Sequence, residues 1–106
     1  MEVRILDDNL EEFIRSLEKP TIAKILRVID LLEFFGNRLG MPHSKKVIGR
    51  LFELRVRGIQ EVRILYAFDR GGAVLLHGFI KKSQHIPQKE IKVGLSKLKR
   101  LTLDNT

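Results

Sequence analysis

The chain has 106 residues, of which 43% are hydrophobic, and it carries a formal net charge of +7 at pH 7. A chain of this length has room for one hydrophobic core, so we expect residues 1–106 to form a single domain. It contains no cysteine, which excludes disulfides and thiolate metal sites. No apolar run reaches the roughly 20 residues of a membrane-spanning helix, and residues 1–6 lack the pattern of a signal peptide, so we expect a cytoplasmic protein.

The first part of the chain predicts one strand followed by two helices. Residues 1–6 favour a short strand, and Asp8 with Glu11 has the spacing of a helix-capping box. Apolar residues at helical spacing continue toward Pro20, which ends the first helix. A second helix with one apolar face is predicted over Thr21–Phe35. The two helices are expected to form a helical hairpin.

The second part changes to the alternating pattern of strands. Residues 37–46 predict a loop, after which apolar and polar residues alternate over 52–56 and 62–68. Residues 73–80 are nearly all apolar, as in a strand that is central or covered on both sides. Pro87 stands where a final helix can start. The predicted fold is α+β in the order β-α-α-β-β-β-α, with an antiparallel sheet and helices packed on one of its faces.

Basic residues are concentrated in the second part of the sequence. Residues 1–42 hold six Lys or Arg against eight Asp or Glu, whereas residues 43–106 hold 14 against five. This asymmetry favours an anionic partner such as nucleic acid, and the alternative is an ordinary solvated basic surface. A membrane surface is disfavoured because the basic residues fall mostly in strand-like segments.

The alternation predicts which basic residues face each other. If the even-numbered apolar residues face the helices, a three-residue turn after Arg57 places Arg55 opposite Arg63, and Arg57 opposite Glu61. Two opposed arginines cost stability, which is easier to understand if an anion lies between them. A different register would instead pair Arg55 with Glu61, and Glu53 with Arg63. The sequence leaves both registers open, and it also allows a wet face on which the side chains splay apart.

The residue types favour metal-free RNA cleavage over other chemistry. The carboxylates of the basic part are scattered, which disfavours a metal site, and neither a glycine-rich phosphate loop nor a catalytic triad can be recognised. No cofactor is therefore expected. Cleavage of RNA through its own 2′-hydroxyl needs cations for the phosphate together with an acid and a base. The candidates for proton transfer are His77 in the apolar strand, where a structural role is the alternative, and His85 in a polar loop.

Blocks of the second part resemble the phage-derived HigB-like branch of the RelE/ParE toxin superfamily. They are, in chain order, Pro42–Lys46, Leu51–Arg55, Val62–Tyr66, Leu75–Lys82 and Pro87–Ile91. The resemblance covers roughly residues 39–100, and residues 1–38 match only as a helical hairpin. It implies a RelE-like fold and a type II toxin that cleaves translated mRNA in the ribosomal A site. It also implies neutralisation by a helix-turn-helix antitoxin.

The resemblance further implies roles for individual residues. Arg63 is similar to the strand arginine that contacts the scissile phosphate, and Arg55 falls where the family often has a basic residue. Lys81 and Lys82 fall where the family has basic residues after its last strand. RelE has an active-site tyrosine near its C-terminus, and this chain has none after Tyr66, so the proton-transfer role is open. The predicted catalytic residues are Arg55, Arg63 and, for proton transfer, His85, Lys82 or His77, and the predicted RNA-binding residues are Lys45, Lys46, Arg57 and Lys81.

Two other functions remain open from the sequence. A ParE-like protein would share the fold and poison DNA gyrase, although the basic residues and histidines argue against it. A non-catalytic module that binds RNA or the antitoxin is the third possibility, with little support from aromatic residues, which make up 7% of the chain.

The final helix can belong to the core or lie under the antitoxin. The sequence gives no indication of oligomeric state.

Overall fold

The computed structural model describes residues 1–104 and contains a five-stranded sheet with three α-helices. The elements are β1 (Val3–Ile5), α1 (Asp8–Arg15), α2 (Lys19–Phe35), a 3-10 turn (Gly36–Arg38), β2 (Ser44–Ile48), β3 (Leu51–Val56), β4 (Val62–Asp69), β5 (Gly72–Ile80) and α3 (Gln88–Asp104). The α+β class and the predicted order of elements are confirmed, with β2 as an additional strand. Within the described residues, no helix is long and apolar enough to cross a membrane.

The strands lie in the order β1-β5-β4-β3-β2. The antiparallel meander predicted for the last three strands is present as β3, β4 and β5. Two details differ from the expectation of a purely antiparallel sheet. Strand β1 pairs with β5 in parallel, so the sheet is mixed. Strand β2 pairs with β3 where a loop was predicted, because its lysines hide the alternation and such charges are typical of an edge strand.

The hairpin of α1 and α2 covers one face of the sheet. In its core, the hairpin residues Leu10, Ile14, Leu17, Ile25, Val28 and Leu32 pack against strand residues that include the even-numbered Leu54, Val56, Val62, Ile64 and Tyr66. Tyr66 stacks on Phe52 in this core, as its even position predicted. The helix cap differs by one residue from the prediction, since the side chain of Asp7, and not Asp8, accepts the backbone N–H of Leu10 at 3.1 Å.

Helix α3 packs on the opposite face of the sheet, so the prediction that the helices share one face is wrong. Its Leu101 lies in a second core with Leu51, Leu65, Ala67, Val74, Leu76 and Phe79. The physical reason lies in β4, whose odd-numbered Leu65 and Ala67 are apolar and must be covered. Gly94 allows the close approach, because a Cβ atom there would lie 2.7 Å from Cδ1 of Leu65.

A bulge in β5 decides where its histidine lies. Leu75 pairs with Tyr66, whereas His77 pairs with Leu65, so the register skips Leu76. Because Leu65 and Arg63 are two residues apart on β4, the bulge puts His77 on the same face as Arg63. The sequence had left this relation open.

Candidate functional site

A cavity of about 530 Å³ lies on the α3 face between β2, β3, the segment after β5 and the first turn of α3. Its lining is rich in cations and contains one imidazole and one carboxylate. We call it the basic cavity, and its charged or ionisable residues are Lys45, Lys46, Glu53, Arg55, Lys81 and His85. Five of the nine predicted site residues therefore lie together, and Glu53 is an addition that was not predicted as a site residue.

Backbone pairing holds three separate segments at the basic cavity. The register of β2 with β3 places Lys45 opposite Glu53. The N–H of Arg55 donates to the carbonyl of His43 at 2.8 Å, which fixes β3 to the residue just before β2. The N–H of Lys81 donates to the carbonyl of Glu61 at 2.7 Å. The cations are thus presented by a sheet edge and by the segment that leaves β5.

The register confirms that Arg55 lies directly opposite Arg63, and it rules out the alternative register. An anion does lie between the two arginines, and it belongs to the chain itself. Oε1 of Glu53 is 3.7 Å from Nε of Arg55 and 3.8 Å from Nε of Arg63. The opposed arginines alone are therefore no longer evidence for an external phosphate, because Glu53 offsets part of their repulsion.

Arg63 lies beneath the basic cavity and not in its lining. Its side chain is 1% exposed, because it stands in a central strand between Arg55 and Phe79. Its Nη1 is 2.7 Å from Oε2 of Glu61. Burial of Glu61 works against ionisation, but the hydrogen bond and charge of Arg63, with help from Arg57, lower the pKa of Glu61 overall. Direct contact of Arg63 with a phosphate would require it to leave Glu61.

The two arginines and Glu53 form an incompletely hydrogen-bonded group. Within residues 1–104, Oε2 of Glu53 and the Nε atoms of Arg55 and Arg63 are buried without a hydrogen-bond partner. Buried polar atoms of this kind cost roughly 1–3 kcal/mol each, and they are uncommon in native proteins. Glu53 and Glu61 together balance the charges of Arg55 and Arg63, so the net positive charge of the cavity wall comes from Lys45, Lys46 and Lys81. An anionic ligand would be attracted to that charge.

Three predicted residues lie elsewhere. Arg57 is exposed and its Nε is 3.5 Å from Oε1 of Glu61. Lys82 lines a separate depression beside α1. Nε2 of His77 is 3.0 Å from Oε1 of Glu90, at the edge of the sheet between α1 and α3. Although His77 shares a sheet face with Arg63, α3 and its Glu90 lie over it, and it does not line the basic cavity.

The positions of Tyr66 and of the carboxylates bear on which catalytic groups the cavity can use. The hydroxyl of Tyr66 is hydrogen-bonded to Ser44, and burial raises the pKa of Tyr66 despite that bond. It lies in the core on the α1 and α2 face, away from the cavity. Glu53 could have been found from the sequence, because it has the same parity as Arg55 and so shares its face. In the described part of the chain, no three His, Asp or Glu side chains are close enough to hold a metal ion.

Comparison with known proteins places these features in context. Residues 12–99 match the family described as "Phage derived protein Gp49-like". The chain is also similar to "Putative toxin HigB3" of Mycobacterium tuberculosis, with 39% identity over 79 residues, which is 70% of this chain and 68% of that protein. The family match over residues 12–99 includes β2 to β5, which carry most of the basic cavity.

Proposed function

The chain belongs to the phage-derived Gp49-like family and is a HigB-like toxin of a toxin–antitoxin system, and on that premise we propose that it is a ribosome-dependent endoribonuclease. The basic cavity is the observation that carries the proposal. It combines four cations, Lys45, Lys46, Arg55 and Lys81, with the imidazole of His85. For cleavage of RNA through its own 2′-hydroxyl, they supply cations for the phosphate and one group for proton transfer, and solvent takes the second proton-transfer role.

The cations would hold the RNA backbone and stabilise the charge that develops on the phosphate. We assign Arg55 to the scissile phosphate, because its side chain is 15% exposed and stands in the cavity wall beside Glu53. Arg63 would act indirectly from beneath the cavity. It contacts Glu53 and Glu61, and Glu53 in turn lies beside Arg55. The three lysines would hold the flanking phosphates.

His85 is the proposed proton donor. It is exposed in the segment before α3, and it is the histidine of the cavity lining. The 2′-oxygen attacks phosphorus as its proton passes to solvent, and the bond from phosphorus to the 5′-oxygen breaks. The leaving 5′-oxygen then takes a proton from the imidazolium of His85. The products are a 2′,3′-cyclic phosphate and a free 5′-hydroxyl, and DNA cannot react in this way because it lacks the 2′-hydroxyl.

The proposal includes the ribosome as the platform for cleavage. The cavity is open and offers little aromatic surface for stacking bases, so it is suited to a backbone that another particle presents. The proposed partners are therefore ribosome-bound mRNA and, for inhibition, an antitoxin of the helix-turn-helix type.

In-vitro translation with the purified protein tests this function. We expect cuts within the message at codons occupied by ribosomes, and no cuts in the same message without ribosomes. Arrest of bacterial growth with intact message would contradict the proposal. Inhibition of gyrase supercoiling under the same conditions would favour the ParE-like alternative instead.

A further inference from the structure

Helix α2 carries an exposed apolar stripe. Phe34 is 82% exposed and packs edge-to-face against Phe35, with 4.9 Å between the ring centroids. Phe34 follows Arg27 and Leu31 at seven and three residues, so the three side chains lie along one side of the helix. Burying the Phe34 ring against a partner would remove apolar surface from water and so favour binding.

A groove of about 260 Å³ lies between this side of α2 and the end of β3. We call it the α2 groove. Its floor is aliphatic and its rim is basic: Val28, Leu31, Pro42 and Val56 form the floor, and Lys24, Arg27, His43 and Arg57 form the rim. No carboxylate is among its lining residues in the described part of the chain. Leu31 links the groove to Phe34, because it lines the groove and lies one helical turn from Phe34 on the same side of α2.

The charges of the rim specify the occupant. Arg27 is exposed and makes no ion pair within residues 1–104. Nζ of Lys24 donates to the carbonyl of Arg57 at 3.2 Å, and within residues 1–104 it makes no ion pair either. A segment with Asp or Glu side chains complements this rim, and its apolar side chains fit the aliphatic floor. RNA fits the rim but not the aliphatic floor, which an apolar polypeptide side chain complements better than a nucleotide does.

We propose that the α2 groove and Phe34 bind an acidic segment of the antitoxin that also carries apolar side chains. The inference rests on the assignment as a toxin, but it does not depend on RNA cleavage. Arg55 lines both the α2 groove and the basic cavity. A segment bound in the groove therefore lies next to the arginine proposed to hold the scissile phosphate, which gives the antitoxin a direct route to inhibition.

Calorimetric titration with the protein encoded by the reading frame next to this chain's gene tests the proposal. We expect the substitutions Phe34→Ser and Arg27→Glu each to weaken binding about tenfold or more, since buried aromatic and arginine side chains dominate interfaces. The loss caused by Arg27→Glu should shrink when salt is raised from 0.1 to 0.5 M, because exposed charges are screened. The loss caused by Phe34→Ser should persist at both salt concentrations.

Two matched variants control for unspecific effects. Leu26→Ser removes an apolar side chain that is 56% exposed on another side of α2, and Lys99→Glu reverses an exposed charge on α3. Both should change binding by less than about twofold, and circular dichroism should show that all four variants are folded.

Several results would overturn the proposal. Absence of binding by the unmodified chain, or equal binding by Phe34→Ser and Arg27→Glu, would do so directly. Loss of binding to a 12-nucleotide RNA in Arg27→Glu, with unchanged protein binding, would make the groove an RNA surface. Dissociation of a dimer by Phe34→Ser in sedimentation would make it a self-association surface. If antitoxin binding depends on the groove but no mRNA is cut, the inference stands and the ribonuclease proposal fails.

Discussion

Arg55 is the residue on which the proposed chemistry depends most, because it is the arginine in the wall of the basic cavity. We expect Arg55→Ala to lower the single-turnover rate of mRNA cleavage about a hundredfold, the usual cost of removing one group that stabilises transition-state charge. Lys99→Ala removes a cation from an exposed position on α3 and should leave the rate nearly unchanged. An equal effect of the two substitutions would mean that general charge, and not this position, matters.

The same substitution should not destabilise the fold. Arg55 faces Arg63 across the ladder, so its removal also removes a repulsion between like charges. Urea denaturation should give a free energy of unfolding for Arg55→Ala within about 1 kcal/mol of that of the unmodified chain, because the lost repulsion from Arg63 and the lost attraction to Glu53 offset each other. A large loss of stability would mean that reduced cleavage reflects unfolding.

Glu53 has the opposite role, since it holds two arginines together. Glu53→Gln should lower the free energy of unfolding by about 2 kcal/mol, less than the loss of a fully buried ion pair because Glu61 still faces Arg63. Urea denaturation measures this loss, with the exposed Glu12→Gln as control. If Glu53→Gln and Glu12→Gln had the same stability, the carboxylate would not be needed to hold the arginines.

Asp7 links pH to stability. Burial alone would raise the pKa of Asp7, but the ion pair with Lys97 at 3.0 Å, the N–H of Leu10 and the charge of Arg100 together lower it. A carboxyl whose folded pKa is lowered stabilises the protein above its unfolded pKa, and this stabilisation is lost as the pH falls through the folded pKa. Asp7→Asn keeps a capping side chain and should cost about 1 kcal/mol at pH 7.

The difference in stability between Asp7→Asn and the unmodified chain should disappear as the pH is lowered from 5 to 2. Thermal unfolding across this range measures it, with the exposed Asp30→Asn as control. A difference in melting temperature that stays constant with pH would show that the charge of Asp7 does not contribute to stability.

At the scale of elements, the docking of α3 depends on Gly94. A Cβ atom at this position would lie 2.7 Å from Cδ1 of Leu65 and 3.3 Å from Cδ2 of Leu51. Gly94→Val should therefore lower the free energy of unfolding by about 2 kcal/mol, because overpacking outweighs the gain in helix propensity. Ser96→Val, on an exposed part of the same helix, is the matched control. Equal stabilities in urea denaturation would mean that α3 does not pack this closely.

The sequence predicted the elements whose signal is local. The alternation in β3 and β4 and the short turn between them predicted Arg55 opposite Arg63 as one of two registers, and the structure decided between them. The faces chosen by the helices are not a local property. The apolar Leu65 and Ala67 on the odd side of β4 indicate that this second face must also be covered. The charged residues at the ends of β4 hide this signal in the sequence.

The candidate site was predicted less completely than the fold. Parity placed Arg55 and Arg63 on one face, but it gave no information about depth, and Arg63 is buried because β4 is central. The bulge at Leu76 set the position of His77, and bulges have no clear signal in this sequence. The approach of His85 to Arg55 depends on the path of the chain after β5, which the sequence alone leaves free.

At the scale of the whole molecule, the two surfaces meet at Arg55. The basic cavity lies on the α3 face, the α2 groove lies at the hairpin side of β3, and Arg55 lines both. The predominance of cations in residues 43–106 is consistent with this arrangement, because the strands and the segment after β5 supply the cavity. An RNA substrate and an inhibiting antitoxin can thus compete for one arginine without sharing the rest of their contacts.

A message with a single 2′-deoxynucleotide at the codon in the ribosomal A site tests the central claim most directly. We predict that the purified protein cuts the unmodified message on programmed ribosomes, leaving a 2′,3′-cyclic phosphate, and that it leaves the 2′-deoxy message intact at that codon. Cleavage of both messages at the same position, or of neither, would contradict it.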